Sequence, residues 1–333
     1  MIQPTSLAQP NSNPPGAPDT PDSSFVQNPA AHPSTVLGPI GEGLVGEGPV
    51  DKGPVGRGPV IGVFDSGFGG LTVLRALLPL IPGAHYIYLG DTARLPYGSK
   101  SPETIARYAT AAARFLESHG AQLLVIACNT ASALAMDALQ ATANVPVIGV
   151  IEPGADAAAQ AAHRGDILIL ATSATVQSHA YARACAMHGL NASEKACPLL
   201  VPLVEEGWTD HPVTTEILSI YLTEALAQAA ADGQHPSTVL LGCTHYPLLR
   251  PMIERTLAAL SPGQPMAVID SAEATAQRVA EAFPRLPSTL STASPGEATC
   301  AFFATDSVEK FRTLGACFLG HPIDHVEHVD LGG

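Results

Sequence analysis

The sequence predicts an α/β protein built in two similar rounds on mainly parallel sheets, and three features carry that expectation. Leu123-Leu124-Val125-Ile126-Ala127-Cys128 and Val239-Leu240-Leu241-Gly242-Cys243 contain strand-length apolar runs without polar alternation, as strands buried on both faces require. Strand patterns alternate with helical ones, as parallel strands joined by crossover helices do. The layout also recurs. Strands leading to Asp65-Ser66-Gly67 and Cys128-Asn129-Thr130 are matched by strands leading to Thr172-Ser173-Ala174 and Cys243-Thr244-His245. Such a duplication sets two cysteines opposite each other across a pseudo-twofold axis, each on the strand-end rim where α/β proteins bind ligands.

At 333 residues and 46% hydrophobic content the chain can bury the cores of two domains of ordinary size. No uninterrupted apolar run reaches membrane-spanning length. Met1 to Pro21 lacks the basic and apolar segments of a secretory signal, so a cytoplasmic protein is expected. A formal net charge of -14 argues against non-specific binding to nucleic acid or anionic membrane, since both need a basic face. The six cysteines, Cys128, Cys185, Cys197, Cys243, Cys300 and Cys317, include no tight CxxC pair. Neither a structural metal site nor a disulfide framework is expected.

The stretch 1 to 58 is rich in Pro, Gly and Ser and ends in the five-residue repeat Gly46-Glu47-Gly48-Pro49-Val50, so it reads as a disordered leader. Order begins with Val60-Ile61-Gly62-Val63-Phe64, a strand running into Asp65-Ser66-Gly67-Phe68-Gly69-Gly70 and the helical pattern from Leu71 to Leu77. A strand, glycine turn and helix start give a nest of N–H groups suited to a carboxylate. The spacing is neither GxGxxG nor a Walker loop, so nucleotide binding is not expected. His85 to Leu89 is the next strand, followed by the polar loop Gly90-Asp91-Thr92-Ala93-Arg94-Leu95-Pro96-Tyr97-Gly98. Ser101 as N-cap and Pro102 at the first position open a helix through about His119.

After the Cys128 strand, Thr130 to Leu139 reads as one helix, and Val145 to Ile151 as a strand that Glu152-Pro153-Gly154 turns outward. The second round has a strand at Asp166 to Ala171, a helix from about Val176 to His188, and an apolar run at Leu199 to Val204 before Glu205-Glu206. A helix from about Thr214 to Ala231 precedes the Cys243 strand. Pro247 to Leu260 then reads as helix, Met266 to Ile269 as strand, Ser271 to Ala282 as helix, and Cys300 to Ala304 and Val326 to Leu331 as late strands.

On the quoted motifs, together with Ala127-Cys128-Asn129-Thr130-Ala131, Glu205 in its Val-Pro-Leu-Val context, and Gly242-Cys243-Thr244-His245-Tyr246-Pro247-Leu248, the chain resembles the glutamate racemases of the aspartate/glutamate racemase superfamily. The resemblance spans roughly residues 60 to 330. It implies two similar α/β domains with the active site in the cleft between them, 60 to 151 with 266 to 330 forming one and 152 to 265 the other. It further implies cofactor-independent interconversion of L- and D-glutamate, supplying peptidoglycan for cell-wall biogenesis and cell shape. The long leader and a Pro/Ser-rich insertion around Pro284 to Pro295 depart from the family pattern and touch no motif.

Racemisation at an α-carbon needs a proton removed from one face and another supplied to the opposite face. Two thiols suit this, because a reference pKa of about 8.5 lets one be thiolate while the other keeps its proton. A pyridoxal enzyme would need a lysine in a phosphate setting, and Lys100, Lys195 and Lys310 occupy none. By resemblance Cys128 and Cys243 are the two bases, with Asp65 serving Cys128, and His245 with Glu205 serving Cys243. Substrate holding falls by the same mapping to Asp65, Ser66, Tyr97, Gly98, Asn129, Thr130, Thr244 and His245, with Thr172 and Thr175 at its side-chain carboxylate. No metal is expected. A small-molecule substrate and a homodimer or monomer–dimer mixture are.

Blander readings exist for each residue. Asp65 could be a turn former, His245 a helix cap, Tyr97 loop packing, and Glu205 and Glu206 surface charges. Cys185, Cys197, Cys300 and Cys317 read as small buried hydrophobes. Alternative functions are racemisation of aspartate or another amino acid, or a non-catalytic regulator that keeps the cleft.

Overall fold

A computed structural model describes residues 58–162, 165–282 and 297–332. The expected leader up to residue 57 and the Pro/Ser-rich insertion lie outside these residues. The first round comprises β1 (Val60–Asp65), α1 (Leu71–Leu77), β2 (His85–Gly90), α2 (Pro102–Ser118), β3 (Leu123–Ile126), α3 (Asn129–Leu134), α4 (Met136–Thr142), β4 (Val147–Gly149) and α5 (Ile151–Ala162). The second comprises β5 (Asp166–Ala171), α6 (Ser173–Ser178), α7 (Ala180–Met187), β6 (Ala192–Ala196), α8 (Leu200–Glu205), α9 (Pro212–Ala231), β7 (Pro236–Gly242), α10 (Arg250–Leu260) and β8 (Ala267–Asp270). Then follow α11 (Ser271–Ala282), β9 (Thr299–Ala304), α12 (Val308–Leu319) and β10 (Glu327–His328).

These strands form two sheets, ordered β10-β9-β2-β1-β3-β4 and β6-β5-β7-β8, with every pairing parallel. The order β2-β1-β3-β4 in the first is reproduced as β6-β5-β7-β8 in the second, so the chain walks the same path twice. In each walk the order reverses between the first and third strands, the point where open α/β sheets leave a crevice at their carboxyl ends. Asp65 and Cys128 flank that point in one sheet. Thr172 and Cys243 flank it in the other.

The two-sided burial behind the unalternating strands is visible residue by residue. Ile61 and Val63 of β1 pack in one cluster with Leu71 and Leu74 of α1, whereas Phe64 faces Ile105 and Ala109 of α2 on the other side. In β7, Val239 and Leu241 share the cluster of Ile61, while Leu240 faces Ile151 and Ala155 of α5. The first cluster thus takes residues from both sheets, which brings their rims into one neighbourhood.

The mixed α/β architecture with parallel sheets is as the sequence predicts, with local differences. The helix expected over Thr130 to Leu139 is two helices joined at Ala135, and that expected over Val176 to His188 breaks at His179, which takes φ 52. Glu152-Pro153-Gly154 does not turn the chain out. It opens α5, where a proline in the first turn forfeits no hydrogen bond. The late strand at Val326 shrinks to Glu327–His328, and β6 and α12 add elements the pattern did not suggest. β8 pairs with β7, so the chain is still in the second sheet at Asp270 and re-enters the first at β9.

Candidate active site

On the first rim, Asp65 ends β1 and is wholly buried, and the Gly67 N–H donates to its Oδ2 at 2.9 Å. Cys128 follows β3 and caps α3, its Sγ accepting the Ala131 N–H at 3.5 Å and donating to Ser66 Oγ at 3.5 Å. Burial, with the charge of Asp65 next, pushes this thiol up to about 12. Both effects favour the protonated form of this thiol. Asp65 is itself raised above the ordinary carboxylate range by burial, against the opposing pull of His245, the Gly67 and Gly70 N–H groups and Thr244.

On the second rim, Cys243 follows β7 and is 6% exposed. His245 Nδ1 lies 3.9 Å from its Sγ, and His245 Nε2 lies 3.2 Å from Glu205 Oε1. The other oxygen of Glu205 accepts from Lys310 Nζ at 3.2 Å. Burial works against a charged His245 ring, but hydrogen bonds to Cys243 and Glu205 and the charges of Cys243 and Asp65 outweigh it, raising His245 to about 10. Burial of Glu205 is likewise outweighed by His245 and Lys310, which hold its carboxyl below the usual range. Glu206 points to solvent. Of the two glutamates, Glu205 is the one within hydrogen-bond reach of His245.

The two rims touch. Thr244 Oγ1 donates to Asp65 Oδ1 at 3.5 Å. A Cβ on Gly69 would fall 2.2 Å from Thr244 Oγ1 and 2.8 Å from His245 Nδ1, so the turn after Asp65 packs directly on the turn after Cys243. Asp65, Ser66, Cys128, Thr244, His245 and Glu205 thus meet through elements 40 to 179 positions apart in sequence.

Polar groups flank this centre. Asn129 is 3% exposed; its Oδ1 accepts from the Tyr181 hydroxyl at 2.5 Å, and its Nδ2 has no hydrogen-bond partner among the described residues. Thr130 Oγ1 lies 3.0 Å from Thr172 Oγ1 and 3.3 Å from Thr175 Oγ1, which places a hydroxyl cluster between the starts of α3 and α6. Gly98 backs onto Thr172, where an added Cβ would come within 2.9 Å of the Thr172 Cβ. Tyr97 is buried with its hydroxyl bound to Asp91. What the Tyr97-Gly98 pair can offer a ligand is backbone.

Residues 61–279 match the family described as Asp/Glu/Hydantoin racemase. The chain belongs to this family. It is 53% identical over 293 residues to a glutamate racemase of Koribacter versatilis, a match covering 82% of this chain and 98% of that protein. Among solved structures it resembles the glutamate racemase isoform RacE1 from Bacillus anthracis at TM-score 0.73 and 35% identity, covering 83% of this chain and 98% of that one. It also resembles the glutamate racemase from Francisella tularensis in complex with D-glutamate at TM-score 0.71 and 32% identity, with the same coverage. Racemases are isomerases, so the chain is of an enzyme family. No helix among the described residues is long and apolar enough to cross a membrane.

Sequence reasoning passes over several residues that pack against this cluster. Asp91 is fully buried and accepts from Tyr97, from Arg94 Nε at 2.9 Å and from Thr305 Oγ1 at 2.9 Å. Its place in the quoted Gly90-to-Gly98 motif was the available signal. Tyr181 and Lys310 stand in helices with no local motif, and only the fold brings them in. Of the remaining cysteines, Cys185 and Cys197 are buried as expected, Cys300 is half-buried, and Cys317 is exposed on α12 because it lies on the outer face of that helix.

Proposed function

We propose that the protein is a cofactor-independent glutamate racemase in which Cys128 and Cys243 exchange the roles of base and acid. Support for the substrate comes from the relatives, which are glutamate racemases, one of them solved with D-glutamate. The observation that carries the two-base reading is that two thiols end equivalent strands of a repeated walk and their turns meet at one carboxylate: Asp65 acts on Cys128 directly, and Thr244 and His245 reach it from the turn after Cys243.

One sulfur, as thiolate, takes the α-proton from one face of the substrate. The other, as thiol, gives its proton to the opposite face of the resulting carbanion, so one S–H bond forms as the other breaks. The next turnover in reverse uses the same pair with roles exchanged. Asp65 and Ser66 attend Cys128; His245, held by Glu205, attends Cys243. The unpartnered Nδ2 of Asn129, with the Ser66 and Thr244 hydroxyls, suits the α-carboxylate, whose negative charge grows as the proton leaves. Thr130, Thr172 and Thr175 suit the side-chain carboxylate.

We take the two sheets with their helices as two lobes closing over this substrate, and a homodimer or monomer–dimer mixture as the assembly. The product would feed peptidoglycan in the cytoplasm, where thiols stay reduced. The test is apo protein in D2O with each enantiomer of glutamate and of aspartate, followed by loss of the α-proton NMR signal. Exchange with both glutamate enantiomers, and a loss of inversion of about 10²-fold or more in Cys128→Ser and in Cys243→Ser, is expected. No exchange, or full activity in either variant, would sink the reading. Exchange with aspartate alone would move the substrate.

A further inference from the structure

We propose that Lys310 is a positioning residue for the Cys243 side of the site, anchoring Glu205 from the opposite lobe so that Glu205 can aim His245 at the thiol. The inference rests on the two-thiol reading above.

Lys310 lies on α12, which follows a strand of the first sheet, whereas Glu205 ends α8 and His245 follows β7, both among elements of the second. The Glu205 carboxylate is divided between them: Oε2 accepts from Lys310 Nζ at 3.2 Å and Oε1 faces His245 Nε2 at 3.2 Å. His245 Nδ1 then lies 3.9 Å from Cys243 Sγ. A glutamate's terminal torsion is broad, so a carboxylate held at one oxygen alone can rotate away from the ring. Held at both, it fixes the ring's tilt, which Phe318 bounds edge-on at 5.3 Å between ring centres.

The charged groups facing His245 are Cys243, Glu205 and Asp65, and those facing Glu205 are His245 and Lys310. The Lys310 ammonium also sits 5.7 Å above the ring of buried Phe68, in the turn between Asp65 and Gly69. One cation therefore leans on the Asp65 turn while holding the carboxylate that serves Cys243. With a side chain 45% exposed, its ion pair adds little stability. Its consequence is placement, available only when the lobes are together.

The test compares wild type with Lys310→Met, which keeps an apolar stem over Phe68, and Lys310→Arg, which keeps the cation. kcat and KM are measured in both directions across pH, with Tm as a folding control. Lys310→Met is expected to lower kcat about threefold with KM nearly unchanged. The acid limb of its kcat profile should move up by about half a pH unit, because the linked acids of the site, Glu205 among them, lose a cation that favours their ionised forms. Lys310→Arg should restore both. Wild-type kcat and profile in Lys310→Met, a change confined to Tm, or equal impairment in Lys310→Arg would overturn the proposal. Cys243→Ser run alongside separates the causes: if it racemises normally, the two-thiol reading itself fails, whereas if it is inactive while Lys310→Met is unchanged, only the role of Lys310 fails.

Discussion

Thr244 Oγ1 donates to Asp65 Oδ1 at 3.5 Å, joining residues 179 positions apart and tying the rim of one sheet to the rim of the other. The contact is possible because Gly69 presents no side chain to it. Disturbing this seam should therefore affect chemistry as well as folding.

Gly69→Ala tests the seam directly, since its Cβ would lie 2.2 Å from Thr244 Oγ1. The expected outcome is a fall in kcat/KM of tenfold or more, with stability reduced by about 1–3 kcal/mol, as overpacking costs. Steady-state kinetics beside a thermal melt measure both, and unchanged kinetics would contradict direct packing of the two turns.

The two adjacent glutamates should separate cleanly. Glu205→Gln is expected to lower kcat by about tenfold or more, because the His245 ring loses an anionic partner, while exposed Glu206→Gln stays within about twofold of wild type. L- and D-glutamate are equal in free energy, so kcat/KM must remain equal in the two directions. Any asymmetry appears in kcat and KM separately, and in which α-deuterated enantiomer shows the larger isotope effect. Equal loss in the two variants would contradict the assignment.

His245 makes stability pH-dependent. Its folded value, raised to about 10 from an ordinary 6.5, means a protonated ring stabilises the fold fully below about pH 6.5, and that contribution is lost as pH rises toward 10. Tm of the wild type should fall more steeply over that window than Tm of His245→Asn. Parallel slopes would show that the ring is not held charged.

Asp91 anchors the loop that carries Tyr97 and Gly98. Asp91→Ala leaves Arg94, Tyr97 and Thr305 without their common acceptor and should cost about 3 kcal/mol of stability. Tyr97→Phe is the milder probe: it removes one hydrogen bond to Asp91, and KM should rise while kcat changes little. A Tyr97→Phe variant with wild-type KM would show that the loop is not held by Asp91 in any way that matters to substrate.

What the sequence reveals follows the range of the forces involved. The buried strands, the glycine turn after Asp65 and the start of α2 are legible because their causes are local: Ser101 does accept from the Thr104 N–H, with Pro102 at the first position. Both cysteines are legible because they end strands whose apolar runs are unmistakable. Local pattern could not foresee the break at His179, where an L-residue takes a left-handed conformation that its neighbours do not signal. Nor could it foresee that the Leu200–Glu205 run would coil rather than extend, which is what aims Glu205 at His245. Asn129 could be suspected from the motif, but the Tyr181 hydroxyl that turns its amide lies 52 positions away. Such partnerships exist only once the second walk has been laid beside the first.

Asp65 felt from both rims has one more consequence. Its charge acts on Cys128 and on His245, and His245 in turn acts on Asp65. A proton gained by one of this set changes the cost of the next for its neighbours, so the site is expected to titrate in steps that belong to the set. The limbs of a pH–rate curve then describe the ensemble and name no residue. Replacing one member should displace every limb at once.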